Sequence, residues 1–506
     1  MSKLGYQLFL GRIVHSLSLK ELEILPIAAL GVKDGAIMFL DPNVASIREA
    51  KKKYPHFKHA ESTVLSSTQF LFPGLVDSHL HAPQWPNLAI GMEGSLADWV
   101  RDYTDPIEAS YSDNEKAKCI YSELVQKELE LGSTTVAYNS TIHHEATNVL
   151  ADMCLKFGQR AIIGKLCIVG PASHHNYEPS VEQSLADEKR SIKYIQKVDP
   201  EGELVMPCVQ PRGGPWAPPE LMEGLRKLSH NSNGKKIHVQ AHMCETVDDI
   251  EKMRKLHPGF KDYGEMYQSH GLMHEKSILA HCIHLSDVDM EILAQSGAGV
   301  AHNPNSNTCL RDGICRVREL LNKGVKVGLG TDCSAGYSTF MLDSMRQASN
   351  VSRHLAMRTG DDKNTLEFKE IVFLGTLGSA GLLSLDDKIG NFNPGKAFDA
   401  LLVDVGLEDC INIHGWEQDD LALVKKWVFM GDDRSIRKVF VNGVHVAGKL
   451  KPGNSWLHEC RLRVTHLTER CISYFNTSTE SKQTVPNFKD ISINGKKSYQ
   501  ESLSDI

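Results

Sequence analysis

The chain has 506 residues, a length that allows one large domain together with a smaller one. Hydrophobic residues make up 41% and charged residues 24%, which excludes collagen-like, largely disordered and disulfide-rich classes. The net charge is only −7 and no extended Lys/Arg stripe is present, so a nucleic-acid partner is not expected. The N-terminus lacks a signal-peptide pattern, no apolar run reaches the roughly 18 residues of a membrane span, and none of the twelve cysteines forms a C-x-x-C motif. We therefore expect a reduced, cytoplasmic protein without a membrane partner.

Residues 1–69 predict the N-terminal part of a small β domain. Short apolar runs alternate there with turn residues, and Lys33-Asp34-Gly35 is a typical hairpin signal. The β pattern returns in residues 386–450, and we expect both segments to fold together into one small β-sandwich domain from the two chain ends. Residues 451–506 form a C-terminal extension, and their polar composition predicts disorder from about residue 476.

Residues 70–385 have a different rhythm, in which apolar strand patterns alternate with helical patterns. Ser112 and Glu115 suggest a capping box before a helix that ends at Gly132, and Ser286 suggests a second cap. Strands that are apolar throughout and alternate with helices are typical of a parallel sheet covered on both faces. Eight of them predict an α/β fold, a (β/α)₈ TIM-type barrel, with a doubly wound open sheet as the alternative. The eight strand segments are 70–77, 134–139, 161–169, 203–211, 236–242, 277–282, 297–302 and 325–332.

Metal-ligating residue types occur where these predicted strands end, namely at His79, His81, His242, His281 and Asp332. The active sites of such barrels form at the C-terminal ends of the strands, so we expect these side chains to converge. Residues i and i+2 of a strand share a face, which aims the first two histidines to the same side.

Three imidazoles and one carboxylate from this set would suit Zn²⁺, with Fe²⁺ as the second choice, and would leave a position for water. Zinc lowers the pKa of a bound water from 15.7 to about 7, which supplies a nucleophile at neutral pH. Glu245 lies three residues after His242 and can reach such a water without binding the metal. Its position predicts general acid–base catalysis.

A set of motifs along residues 70–450 resembles the amidohydrolase superfamily and, within it, the enzymes that deaminate guanine. The motifs are PGLVDSHLHAPQ, LADWVRDYTDP, GSTTVAYNSTIH, FGQRAIIGKLC, HMCE, LAHCIHLS, NPNSN, GLGTDCSAGYS, GNFNPGKAFDA and GDDRSIRKVFVNG. The resemblance implies a barrel with a single zinc ion and a homodimeric assembly. The absence of a lysine from the fourth strand pattern, ELVMPCVQP, agrees with one metal, because the binuclear relatives use a lysine there.

The resemblance also assigns roles to residues. It implies that His79, His81, His242 and Asp332 hold the metal. It implies that Glu245 shuttles protons, that His281 helps to hold the attacking water, and that Gln84 and Arg212 contact a purine. An Arg guanidinium offers paired donors that match the O6/N7 edge of guanine.

The sequence departs from the family at Gly213, where a ring usually follows the arginine and covers the purine. Trp216 follows three residues later and is the candidate replacement, so Gly213 and Trp216 complete the predicted substrate-binding set. We expect Gly213→Phe to improve guanine recognition if Trp216 leaves space.

The function implied is hydrolysis of guanine to xanthine and ammonia. A related bicyclic amine, such as a pterin or an oxidised guanine, is the alternative substrate. A catalytically silent binding protein is the alternative of another class, although such relatives usually lose metal ligands and this chain keeps them.

Overall fold

The structure is a computed structural model that describes residues 5–170, 172–230, 234–407 and 411–450. The extension predicted to be disordered from about residue 476 lies outside these residues. The strands are β1 (Tyr6–Ser18), β2 (Glu21–Lys33), β3 (Ala36–Asp41), β4 (Glu61–Val64), β5 (Gln69–Pro73), β6 (Leu75–His81), β7 (Ser133–Asn139), β8 (Arg160–Gly164), β9 (Leu166–Cys167), β10 (Val205–Pro211), β11 (His238–Met243), β12 (Ser277–His281), β13 (Gly299–His302), β14 (Lys326–Leu329), β15 (Ala400–Asp404), β16 (Ile436–Val441) and β17 (Val444–Ala447).

The helices follow most of the strands of the central region. They are α1 (Ile47–Lys53), α2 (Leu96–Trp99), α3 (Asp105–Ala109), α4 (Asn114–Glu130), α5 (His144–Phe157), α6 (Val181–Val198), α7 (Pro219–Leu228), α8 (Val247–Leu256), α9 (Tyr263–Ser269), α10 (Asp287–Ser296), α11 (Pro304–Cys309), α12 (Val317–Asn322), α13 (Met341–Thr359), α14 (Phe368–Gly375), α15 (Leu377–Leu382) and α16 (Asp420–Met430). Short 3₁₀ turns, and a π-helical turn at Val100–Thr104, connect some of them. No helix in these ranges has both the length and the apolarity needed to cross a bilayer.

The predicted (β/α)₈ barrel is confirmed. Eight strands pair in parallel in the order β6, β7, β8, β10, β11, β12, β13 and β14, with the short β9 also beside β10. Hydrogen bonds bring the two ends of this sheet together: Asp332 N donates to His79 O at 2.9 Å, and His81 N donates to Cys333 O at 3.0 Å. The open-sheet alternative is therefore wrong. One buried cluster draws a side chain from six of these strands, namely Val76, Ala137, Ile162, Cys208, Ile278 and Ala301.

A second, mixed sheet contains strands from both chain ends, as predicted. Its order is β17, β16, β15, β5, β1, β2 and β3, with β4 beside β1. Aromatic side chains pack its core, and the ring centroids of Phe9 and Phe398 lie 4.9 Å apart although the two residues come from opposite ends of the chain.

The predicted strand at 70–77 is two strands. Gln69–Pro73 pairs with β1 and β15, whereas Leu75–His81 begins the barrel. Gly74 lies between them, and a Cβ there would stand 2.0 Å from Thr134 Oγ1. The close approach of the backbone to β7 explains the glycine at the point where the chain changes sheets.

The helix caps agree with the prediction at one helix and differ at another. Ser286 forms a capping box with Asp289, and α10 ends at Gly297, which has a left-handed backbone with φ of 73°. The predicted cap at Ser112 is wrong, because Ser112 belongs to a preceding 3₁₀ turn. Asp113 caps α4 instead. Its side chain accepts hydrogen bonds from the backbone N–H groups of Glu115 and Lys116 in the first turn of the helix.

Candidate active site

Four predicted ligands meet at one end of the barrel. His79 and His81 lie on β6, His242 lies on β11, and Asp332 follows the end of β14 by three residues. One donor atom of each lies within 4.8 Å of the others, and all four side chains are buried. Leu80, between the two histidines, packs in the opposite direction with the helices outside the barrel. The alternation of a strand thus aims both histidines inwards.

The arrangement of nitrogen atoms fits a bound cation. His81 Nε2 and His242 Nε2 lie 3.2 Å apart. His242 Nδ1 donates to the carbonyl of Arg212 at 2.7 Å, which leaves the Nε2 lone pair of His242 free. Burial lowers the pKa of both imidazoles well below the usual range, so both are neutral. His242 Nε2 is therefore an acceptor, and two neutral imidazole nitrogens at this separation are placed to bind a cation between them.

His79 shows the same pattern. Its Nδ1 lies 2.8 Å from Gln240 Oε1, and its buried Nε2 has no hydrogen-bond partner among the described residues. Nε2 lies 3.2 Å from Asp332 Oδ1. Gln240 therefore orients the ring so that Nε2 faces the other ligands. In metal sites, a hydrogen bond to the other ring nitrogen commonly orients a ligating histidine in this way. A set of nitrogen and carboxylate donors without thiolate suits zinc.

Asp332 is the anion of the set. Burial would raise the pKa of its carboxyl group, but the neighbouring His281 and His79 hold it well below the usual range. The carboxylate is therefore ionised at neutral pH and balances part of the charge of a divalent cation.

Glu245 and His281 adjoin the four ligands. Glu245 Oε1 lies 3.4 Å from His281 Nε2, and Asp332 Oδ2 lies 3.6 Å from the same nitrogen. Asn307 Oδ1 accepts from His281 Nδ1 at 2.9 Å and fixes the ring. Burial and the nearby Asp332 raise the pKa of Glu245 well above its usual range, so this carboxyl group can carry a proton at neutral pH.

Two of these residues have a backbone conformation that side chains rarely adopt. His281 has φ of 71° and Asp332 has φ of 49°, both in the left-handed region. Such positions usually belong to glycine, and non-glycine residues held there concentrate at functional sites. The backbone therefore gives an independent indication that this end of the barrel is the active site.

A cavity opens beside the ligands. Three of the four predicted substrate-binding residues line it, together with Glu245 and three of the four ligands. Gly213 is not among the lining residues, but Trp216 lies against it: a Cβ on Gly213 would stand 3.2 Å from Trp216 Cζ3. The lining residues are His81, Gln84, Leu96, Trp99, Val100, Arg212, Trp216, His242, Glu245, Asp332 and Ala335.

The sequence profile of the Amidohydrolase family matches residues 70–446. The chain belongs to the amidohydrolase family. It is 39% identical to a probable guanine deaminase of Schizosaccharomyces pombe over 447 residues, which cover 87% of this chain and 83% of that protein. It is 36% identical to guanine deaminase of Homo sapiens, over 87% of this chain and 96% of that protein. Its fold matches the crystal structure of guanine deaminase from C. acetobutylicum with guanine bound in the active site, with a TM-score of 0.79, 29% identity and coverage of 87% of this chain and 100% of that one.

The candidate active site of this amidohydrolase also contains residues that the sequence analysis did not single out. Gln240 shares a strand face with His242, and this two-residue spacing was the available signal. Asn307 lies in the NPNSN motif, which was noted without a role. Glu108 had no comparable signal. It is fully buried and its carboxylate contacts both Arg212 and Gln84.

A second, larger and more open cavity adjoins the first in this amidohydrolase. The two share Leu96, Val100 and Trp216 as lining residues. The boundary between the two cavities is therefore apolar and partly aromatic.

Proposed function

We propose that this amidohydrolase is a zinc-dependent deaminase that converts guanine and water into xanthine and ammonia. The observation that carries the proposal is the presence of a complete ligand set, an acid–base carboxyl group and an arginine around one buried cavity. Sequence similarity to guanine deaminases over most of the chain, and the guanine bound to a structural relative, support the choice of substrate.

We assign the metal to His79, His81, His242 and Asp332. When bound, zinc lowers the pKa of a water molecule to about 7. His281 and Glu245 lie side by side next to these residues and are placed to hold the attacking water. Because the chain has all four of these ligands, the alternative of a catalytically silent binding protein is disfavoured.

Glu245 moves the protons in this proposal. It takes a proton from the attacking water as the new C–O bond forms at the amino-bearing ring carbon, and gives it to a ring nitrogen. It then transfers the second proton of the water to the departing amino group as the C–N bond breaks, so that ammonia leaves and the keto product remains. Its raised pKa suits this work, because a carboxyl group that is easily protonated transfers protons efficiently near neutral pH.

Arg212 and Gln84 recognise the base. Arg212 presents a rigid fork of donors, which matches the keto oxygen and the adjacent ring nitrogen of guanine. Its guanidinium carbon lies 5.4 Å from the centre of the Trp216 ring. Trp216 therefore lies next to the recognition group and supplies the aromatic surface that Gly213 lacks.

The proposed reaction is tested by following products. Purified protein with one zinc per chain is expected to release one xanthine and one ammonia for each guanine consumed. The same assay with 8-oxoguanine and with pterin tests the alternative substrates. A higher kcat/KM for either of them than for guanine would contradict the assignment of guanine as the preferred substrate.

Trp216→Ala is expected to raise the KM for guanine by about 2–13-fold, because a ring contact contributes about 0.5–1.5 kcal/mol beyond area burial. Trp216→Phe keeps a ring and serves as the matched control, with a smaller change. Gly213→Phe is now expected to raise the KM as well, since the Trp216 ring occupies the space that the new side chain needs. An unaltered KM in Trp216→Ala would mean that recognition is complete without a ring from this loop.

The homodimer and the cytoplasmic location expected from the sequence stay predictions.

A further inference from the structure

We propose that Glu108 is a positioning residue for Arg212 and Gln84, which together form the recognition wall of the pocket. Glu108 fixes both the geometry and the charge of this wall, so that the pocket selects neutral keto purines over anionic ones. The inference rests on the proposed function and adds a determinant of its specificity. Glu108 lies on α3, far along the chain from the residues that it holds, and its side chain is fully buried.

The two carboxylate oxygens of Glu108 are shared among three donors. Oε1 accepts from Gln84 Nε2 at 2.8 Å. Oε2 accepts from Arg212 Nη1 at 2.9 Å and from Asn176 Nδ2 at 2.8 Å. One buried carboxylate therefore joins the two proposed substrate-binding side chains to the loop before α6.

These bonds orient the donors that remain for a ligand. Nη1 of Arg212 is taken by Glu108, so the planar guanidinium is fixed and its other nitrogens remain for a ligand in the cavity that Arg212 lines. Gln84 Nε2 donates a hydrogen bond to Glu108, and Gln84 Oε1 accepts one from Ser334 N at 3.4 Å. The direction of the amide is thus determined at both ends. Without Glu108, Arg212 would lose its ion pair and Gln84 would lose the shorter of these two hydrogen bonds.

Glu108 also sets the charge of the wall. Arg212 is buried, with 5% of its surface exposed. An arginine guanidinium stays protonated in proteins, so Arg212 is a cation in the pocket. The direct ion pair with Glu108 cancels this charge inside the pocket. A pocket with a compensated arginine favours a neutral base, whereas an uncompensated buried cation attracts an anion.

The test is calorimetric binding of two keto purines to the zinc-loaded protein, hypoxanthine as the neutral probe and urate as the anionic probe. In Glu108→Gln we expect hypoxanthine to bind more weakly and urate more tightly, so that the ratio of the two dissociation constants shifts by at least about tenfold, or about 1.4 kcal/mol. In Glu108→Asp the charge remains, but the side chain is one methylene shorter and the carboxylate lies farther from Arg212 and Gln84. We expect both purines to bind more weakly by a similar factor. Glu178→Gln is the matched control. It removes another buried carboxylate, one that pairs with Lys165 at 2.6 Å outside the lining of the cavity, and we expect it to leave the ratio unchanged.

A ratio in Glu108→Gln equal to that of the wild type would overturn the proposal, and so would an equal shift in Glu178→Gln. If Glu108→Gln does not fold, Glu108→Asp decides: wild-type affinity for both purines would show that the position of the carboxylate does not matter. The measurement needs no turnover, so a protein that shows the predicted shift without deaminating guanine would overturn the proposed function and support the role of Glu108. A wild-type protein that binds neither purine would overturn both.

Discussion

Asp332→Ala is expected to abolish turnover and to leave a protein that loses its zinc on dialysis. Asp332 is the only carboxylate among the four proposed ligands, and it is buried and ionised among histidines. Its loss should weaken zinc affinity by more than the roughly 10–100-fold that removal of a supporting residue costs. Metal content by elemental analysis and ammonia release from guanine are the two measurements.

Gln240→Ala is the graded control for this prediction, because Gln240 holds His79 without contributing a ligand. We expect an intermediate loss of zinc affinity, within the roughly 10–100-fold range. Near-normal zinc and activity in Asp332→Ala would show that the metal site has been assigned to the wrong residues.

Glu245→Gln is expected to keep its zinc and its affinity for guanine while kcat falls by about 10²–10⁴-fold, the usual contribution of general acid–base catalysis. The substitution retains the size of the side chain and removes its capacity to exchange a proton. Single-turnover rates, together with guanine binding and metal content, separate this effect from a loss of structure.

Glu128→Gln is the matched control for Glu245→Gln. Glu128 is also fully buried, and burial raises its pKa well above the usual range, but it lies on α4 away from the lining of the cavity. We expect its kcat to stay near that of the wild type. A wild-type rate in Glu245→Gln would exclude Glu245 from proton transfer, and a loss of zinc would make it a support of the metal site.

The position of the metal ligands could be predicted from sequence because two simple rules apply. Side chains alternate along a strand, which aligns His79 with His81, and the ends of parallel barrel strands meet at one mouth, which brings in His242. The barrel itself was predictable because apolar strands alternate with capped helices. These are local patterns that a single sequence displays.

The recognition wall could not be predicted in the same way. Glu108 contacts Arg212 although 104 positions separate them in the sequence. No spacing rule relates α3, the short helix after β6, to the end of β10. The change of sheet at Gly74 was hidden because the apolar run continues through it, and only the approach of Thr134 reveals the reason for the glycine. Tertiary contacts, which the local pattern does not encode, decide both features.

The most direct test of zinc-dependent guanine deamination is a metal titration. Protein stripped of metal with a chelator is mixed with increasing zinc, and ammonia release from guanine is measured at each ratio of zinc to chain. The account predicts negligible activity without metal and a linear rise that ends at one zinc per chain, as expected if the group of His79, His81, His242 and Asp332 holds the metal. Full activity in the stripped protein, or no ammonia at one zinc per chain, would contradict it.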